Sequence, residues 1–319
     1  KRTEFGEASE TGLLDLRSRS WCPELFDFID PRLAEMLPEL RSSREPLGVL
    51  RPELARDWGV GEDVLVSAGG ARVMMSALGC GAAFPGAVAI AIDKSATILG
   101  ISETPLIDPR GEVASCCDAT DRWLALAEDD AAVACAAQVQ GHFEWSDGEL
   151  DAALAQSRPG AGGLLFLPGS NGSSLPGPRR EGMLLGIEAG NFTPGNMARS
   201  AMEALALEFG AGLGRMRELG FEPADLRLSG PGASSPAWRQ LISDVLGLPV
   251  MSVRQDACPA LGAALQAAVT FFQQSGEDLT YAEMTSYAVE PATSSLCQPD
   301  EGRHEFYRDL LGRHQSLLE

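Results

Sequence analysis

The sequence predicts an α/β fold, on three observations. Residues 226–272 run strand, glycine turn, helix, strand, small-residue helix, as "LRLSGPG", "PAWRQLISDVLG", "LPVMSV" and "PALGAALQAAVTFF". From Ala87, "AVAIAIDKSATILGIS" has two β-rich halves around Asp93 and Lys94, the pattern of a hairpin with a short polar tip. Thr193 precedes Pro194, and apolar residues at Met197, Ala201, Leu205, Phe209, Leu213 and Met216 lead to Gly220, which predicts one long capped helix. In such a layout ligands sit at strand ends.

The remaining elements follow in chain order. "GLLDL" reads as a strand, "PRLAEMLPEL" and "RPELARDWGV" as helical turns, and "EDVLVSA" as a strand bounded by turn residues. In "SAGGARVMMSAL", residues 67–78, Gly69 and Gly70 let backbone approach a ligand, and a small-residue helix is expected from Met74. "PLIDPRGEVASCC" and "RWLALAE" continue a strand meander. Residues 128–140 and "GELDAALAQS" read as helices, "GGLLFLP" as a buried strand and "GSNGSSLPGPRREG" as a loop rich in turn residues. An amphipathic helix carrying His304 and His314 ends the chain, and no fixed-period repeat is present.

At 319 residues and 45% hydrophobic composition the chain can bury a substantial core. Lys and Arg number 25 against 45 Asp and Glu, a net charge of −20, whose field repels nucleic acid and anionic membranes. The seven cysteines have no metal-ligand spacing, so free and mostly buried thiols in a reducing compartment, cytoplasm or organelle matrix, are expected rather than secretion. His142 and Glu144 in "GHFEW" lack a third ligand and read as surface residues. No run reaches the roughly 18 apolar residues of a membrane span.

Five ordered stretches resemble the FGGY carbohydrate kinases, and within them the xylulokinases. "EASETGLLDLRSRSW" is similar to that family's DASGTGLLDVRTRRW, and "GLLFLPGSNGSSLP" to its GLLFLPYLNGERTP. "NFTPGNMARSAMEALAL" resembles its helix ending in Glu-Gly, "LSGPGASSPAWRQLISDVLGLPV" its adenine-site GGGAKSPLWRQIxADVLGxPV, and "PALGAALQAA" its closing AALGAALLAA. The resemblance implies the two-lobed, ribonuclease H-like architecture of actin, hexokinase and Hsp70. Residues 1–85 would be a remnant of the first lobe, 86–275 the second lobe and 276–319 an extension with a terminal helix. The family's Asp-Gly phosphate loop has no counterpart in these residues, so about half of the first lobe is expected to be missing.

The resemblance also marks departures. Where the family reads GGGDNMMSA, this chain has Gly69-Gly70-Ala71-Arg72-Val73-Met74-Met75-Ser76-Ala77, so the catalytic Asp falls on Arg72 and the Asn on Val73. General-base catalysis is worth about 10²- to 10⁴-fold, and a guanidinium cannot accept the sugar hydroxyl's proton. The family's SLGTS phosphate turn is Ala91-Ile92-Asp93-Lys94-Ser95 here. An unpaired carboxylate about 4 Å from a phosphate oxygen costs on the order of 4 kcal/mol. The sugar-side YLNGERT is Gly169-Ser170-Asn171-Gly172-Ser173-Ser174-Leu175. Pro231 removes one N–H donor from the adenine-site turn.

Gly230, Gly232, Ser235 and Gln240 would cradle adenosine, with Ser95 at the phosphates, or else Gly230 to Gln240 form a strand-to-helix turn kept for folding. Arg72 would hold an anion, or contact solvent or another chain. The main expectation is therefore a xylulokinase-like pseudokinase without a cofactor, serving as an interaction subunit in an assembly or homo-oligomer. The alternative is a working xylulokinase seen as a partial chain, using ATP and Mg²⁺ to convert D-xylulose to D-xylulose 5-phosphate.

Overall fold

A computed structural model describes residues 1–92, 96–169, 181–253, 258–290 and 292–318. The first 79 residues hold short elements: β1 (Arg2–Glu4), α1 (Phe5–Glu10), β2 (Leu14–Asp15), β3 (Ser20–Trp21), α2 (Pro23–Ile29), α3 (Leu33–Met36), β4 (Glu39–Arg41), β5 (Gly48–Val49), α4 (Pro52–Trp58), β6 (Leu65–Val66) and α5 (Arg72–Gly79). There follow β7 (Ala87–Ile92), β8 (Ala96–Ser102), β9 (Ala114–Cys117), β10 (Trp123–Glu128), α6 (Asp130–His142), α7 (Asp147–Gln156), β11 (Leu165–Leu167) and β12 (Met183–Leu185). The chain closes with α8 (Pro194–Glu218), β13 (Asp225–Ser229), α9 (Pro236–Leu246), β14 (Val250–Ser252), α10 (Cys258–Gln274), α11 (Tyr281–Ala288) and α12 (Glu301–Leu318).

A sheet of order β14-β13-β7-β8-β10-β9 is the centre. β14, β13 and β7 are parallel, whereas β7, β8, β10 and β9 run antiparallel. The expected hairpin is present, with Ile92 opposite Ala96; its tip, Asp93 to Ser95, lies outside the described residues. β7 and β8 read as unbroken apolar runs because both sheet faces are covered. Val88, Ile90 and Ile98 face one core with Leu205, Phe209 and Leu213 of α8 and Trp238 and Ile242 of α9. Ala89, Leu99 and Ile101 face the other, with Met74, Met75 and Leu78 of α5 and Leu265 and Val269 of α10.

The second face closes through glycine. A Cβ on Gly79 would stand 1.8 Å from the Cys258 carbonyl oxygen, and one on Gly262 would stand 1.9 Å from that of Met75. α5 and α10 therefore meet backbone to backbone.

Several expected strands are shorter or absent for local reasons. "GLLDL" shrinks to Leu14–Asp15 and "EDVLVSA" to Leu65–Val66. Of the meander, only Ala114–Cys117 is strand before Trp123. Upstream of it, the Asp108 carboxylate accepts from the N–H groups of Arg110, Glu112 and Val113, side-chain bonds that compete with a ladder. Asp108 also pairs with Arg215 of α8, which holds its carboxyl well below the usual carboxylate range. α5 begins at Arg72 rather than Met74, directly after the non-helical residues 67–71.

α12 is anchored by a buried cluster. The Arg199 guanidinium donates to Glu203 (2.8 Å) and to the Tyr307 hydroxyl (2.8 Å), which itself donates to Glu203 (2.7 Å). None of the seven cysteines is in a disulfide, and burial pushes Cys80 up to about 12 and Cys117 to about 11. Among the described residues no helix is long and apolar enough to cross a membrane.

Glu4 is 2% exposed and caps α1, accepting from the N–H groups of Gly6 and Glu7 at 2.5 Å each. Burial outweighs those bonds and pushes its carboxyl up to about 7. The folded chain thus binds this proton more tightly than the unfolded chain, and stability falls as pH rises from about 4.5 through about 7. The full span is on the order of 3 kcal/mol.

Three variants test this packing and the Glu4 carboxyl. Gly262→Ala should cost about 3 kcal/mol in urea unfolding or prevent folding, because only backbone can yield. Gly214→Ala in α8, whose Cβ meets nothing within 4 Å, should instead stabilise by about 0.5–1 kcal/mol. Glu4→Gln should flatten the fall in unfolding free energy between pH 5 and 8; an unchanged slope would reject the assignment of that fall to Glu4.

Candidate functional site

The turn before α5 is built on Gly69, whose φ of +76° suits glycine. It is held from α10. The Gly69 N–H donates to Gln266 Oε1 at 2.8 Å, and Gln266 Nε2 donates to the Gly69 carbonyl. Gln266 is fully buried. Ala71 is extended and offers no side-chain cap, so α5 starts without one. Arg72, its first residue, is exposed and sets a guanidinium at the positive end of the helix dipole, an arrangement costing about 0.3–1 kcal/mol unless an anion is near. Val73, at the position of the family's Asn, packs against the α5 and α10 core.

A second feature is a cavity of about 340 Å³ beyond the carboxyl ends of the parallel strands β7 and β13. Its walls are Ile92, Val133, Ala136, Leu150, Met202 and Trp238, with Asp147, Asp151, Ser234 and Ser235 supplying polar groups. Among the described residues no Lys, Arg or His lines it, and these walls suit a flat, largely apolar ring with donor edges.

The expected adenosine cradle is only partly assembled here. Gly230 has φ +96°, and a Cβ there would stand 2.2 Å from the Ile92 carbonyl oxygen, so this glycine joins β13 to the end of β7. Gly232 and Ser235 line the cavity. The Ser235 hydroxyl is committed at both lone pair and proton: it accepts from Trp238 N–H (3.0 Å) and donates to Asp151. Gln240 does not line the cavity, a correction to the expected cradle. Its amide donates to Asp244 (2.8 Å) and to the Gln298 carbonyl (2.9 Å), because that face of α9 is covered by the chain entering α12. Ser95 and residues 170–175 of the sugar-side loop lie outside the described residues.

Two residues of these sites were not expected from the sequence. Asp151, on α7, accepts from Ser235 and from the Ala237 N–H (3.2 Å), and so caps α9 from another helix. The Ser146–Glu149 capping box that starts α7 is legible in "SDGE", but the partner of Asp151 is tertiary. Gln266 is the single long polar residue in the apolar stretch "PALGAALQAAVTFF", a signal that it has a buried partner.

Comparison with known proteins bears on these sites. The C-terminal domain of the FGGY family of carbohydrate kinases matches residues 95–271, and its N-terminal domain matches residues 1–79. The chain is 34% identical over 268 residues to the xylulose kinase of Haemophilus influenzae and 29% identical over 269 residues to that of Escherichia coli K12. These alignments cover 83% and 82% of this chain and 54% of each relative, so the chain spans about half the length of those relatives. The crystal structure of xylulose kinase from Bifidobacterium adolescentis superposes with a TM-score of 0.78 at 26% identity, over 97% of this chain and 62% of that one. The Gly69 turn lies in the segment matched by the N-terminal domain, and the cavity's lining residues, Ile92 apart, in that matched by the C-terminal domain. With both domains matched in order, and a fold of the actin and hexokinase type shared with sugar kinases of known structure, the chain belongs to the FGGY family of carbohydrate kinases.

Proposed function

We propose that this chain carries the nucleotide-handling part of a xylulokinase-type phosphotransferase, which converts ATP and D-xylulose to ADP and D-xylulose 5-phosphate. The observation that carries the reading is the apolar cavity beyond the carboxyl ends of β7 and β13, the place where open α/β sheets bind ligands. Its size and largely apolar walls fit a nucleoside base, which Gly232, Ile92 and Trp238 would hold while Asp151 and Asp147 face its exocyclic amine. Mg²⁺ would enter on the nucleotide and neutralise phosphate charge. Among the described residues no group of three acids, histidines or cysteines could hold a metal, so the chain's own part is to bind and orient. The relatives that support this reading are xylulose kinases, and they favour a nucleotide-using chain over the cofactor-free expectation.

A second reading is favoured by one residue. Arg72 stands where the family resemblance puts the proton acceptor, and a guanidinium takes no proton near neutral pH. On that reading the chain binds nucleotide without transferring phosphate, and acts through contacts with other proteins.

Coupled ADP release with D-xylulose, run beside a thermal-shift titration of MgATP, separates the two. Turnover supports transfer; a nucleotide shift without turnover supports the binding-only reading; no shift rejects both. Ala136→Trp, which fills the cavity from α6, should abolish the MgATP shift while leaving the unliganded melting temperature nearly unchanged. Ser235→Ala should lower stability by about 1 kcal/mol through the lost cap.

A further inference from the structure

We infer that Gln266 is the positioning residue of the α5 turn: from the C-terminal domain it sets the backbone of Gly69, and through it the direction in which Arg72 leaves the N-terminal segment. α10 presents one residue per turn to α5 on a single stripe. Cys258 meets Gly79, Gly262 meets Met75, and Gln266 meets Gly69, so the two segments run antiparallel. The first two contacts are backbone against backbone, which leaves no freedom for the helices to slide. The third contact continues past the start of α5, where no helical hydrogen bond can hold the chain. There a buried carboxamide replaces backbone contact with two hydrogen bonds, one accepted from the Gly69 N–H at 2.8 Å and one donated to its carbonyl.

A carboxamide is the side chain that matches both groups of one peptide residue at once. Leu or Met would fill the space and leave the half-buried Gly69 N–H and C=O without these bonds. Gly70 limits the turn from the other side, since a Cβ there would stand 2.8 Å from the Met75 methyl. The turn thus has its conformation imposed by α10 on one flank and α5 on the other. Arg72 follows Gly69 by three residues, so its placement is read from the C-terminal domain. The kinase reading above supplies only the consequence, that sugar-side and nucleotide-side groups are held in register across 197 residues of sequence. The geometry itself is independent of it.

The test uses the intact chain and no ligand. Amide exchange at Gly69 and the NMR cross-peak of the Arg72 Nε–H group are followed in wild type, Gln266→Met and Gln266→Glu. Gln266→Met should speed Gly69 exchange about tenfold and shift the Arg72 cross-peak, while exchange across 258–265 and the cross-peak of buried Arg199 stay fixed. Gln266→Glu is isosteric and can both accept and donate only when protonated. Its Arg72 cross-peak should therefore coincide with wild type at low pH and move away as pH rises, relative to wild type at each pH so that Glu4 titration cancels. Should Gln266→Met fail to fold, the Gln266→Glu titration decides. Gly69 exchange within twofold of wild type and an unmoved Arg72 cross-peak in the folded Met variant would overturn the inference, as would a Glu variant matching wild type at every pH. Neither readout depends on phosphoryl transfer, so a chain without turnover tests it equally well.

Discussion

The close crossing of α5 and α10 is the constraint on which the rest of the molecule depends. Two glycines, Gly79 and Gly262, bring helix backbones within van der Waals reach, and no other residue could stand at either position without moving a main chain. Because the two helices belong to segments matched by different domains of the family, this contact makes them one body. It also buries Met74, Met75 and Leu78 under the sheet, so the second core exists only when the crossing is formed. The opposite face makes a different bargain: there α8 lies against β8 and β10 through Gly212, whose Cβ would stand 2.8 Å from that of Ala127. The sheet is thus covered on both sides by helices that approach through missing side chains, which explains why its central strands carry almost no polar residue.

Much of the fold could be read from the sequence wherever a local rule and the tertiary structure agree. The α8 cap, its apolar stripe and its glycine stop are all local, as are the β7–β8 hairpin and the strand-turn-helix from Leu226 to Leu246. The "TYAE" capping box of α11 was equally local and went unread. β1 and β4 were unreadable for a different reason. They form a three-residue parallel pair across 37 residues, and nothing in "RTE" or "ELR" favours a strand until the partner is present. Both helices, the one expected from Met74 and "PALGAALQAA", were legible as rich in small residues. That they approach each other is a fact of three dimensions.

The candidate site divides along the same line. Glycines and the helix cap of the turn between β13 and α9 are local features, so Gly230, Gly232 and Ser235 were legible as turn and cap, but their tertiary partners were not. Gly230 serves the junction with Ile92, and the Ser235 hydroxyl is spent on Asp151 and Trp238. What remains for a ligand is shape: an apolar hollow with carboxylates near its rim. Gln240 shows the converse failure, since a polar residue one turn into a helix points where the helix surface points, here toward Gln298.

The sign of charge now separates the two halves of the site. Among the described residues the hollow beside β7 and β13 is lined by two aspartates and no base, a lining that favours donor groups over phosphate. The α5 turn is the reverse: an uncapped helix start with an arginine as first residue favours an anion by both dipole and charge. An aspartate there would accept a proton, which a guanidinium does not do near neutral pH, so the residue at this position decides what chemistry the turn can offer. A chain that kept its glycine crossing and its buried glutamine clamp beneath that turn has kept the machinery for aiming a side chain, and the side chain it aims is a cation.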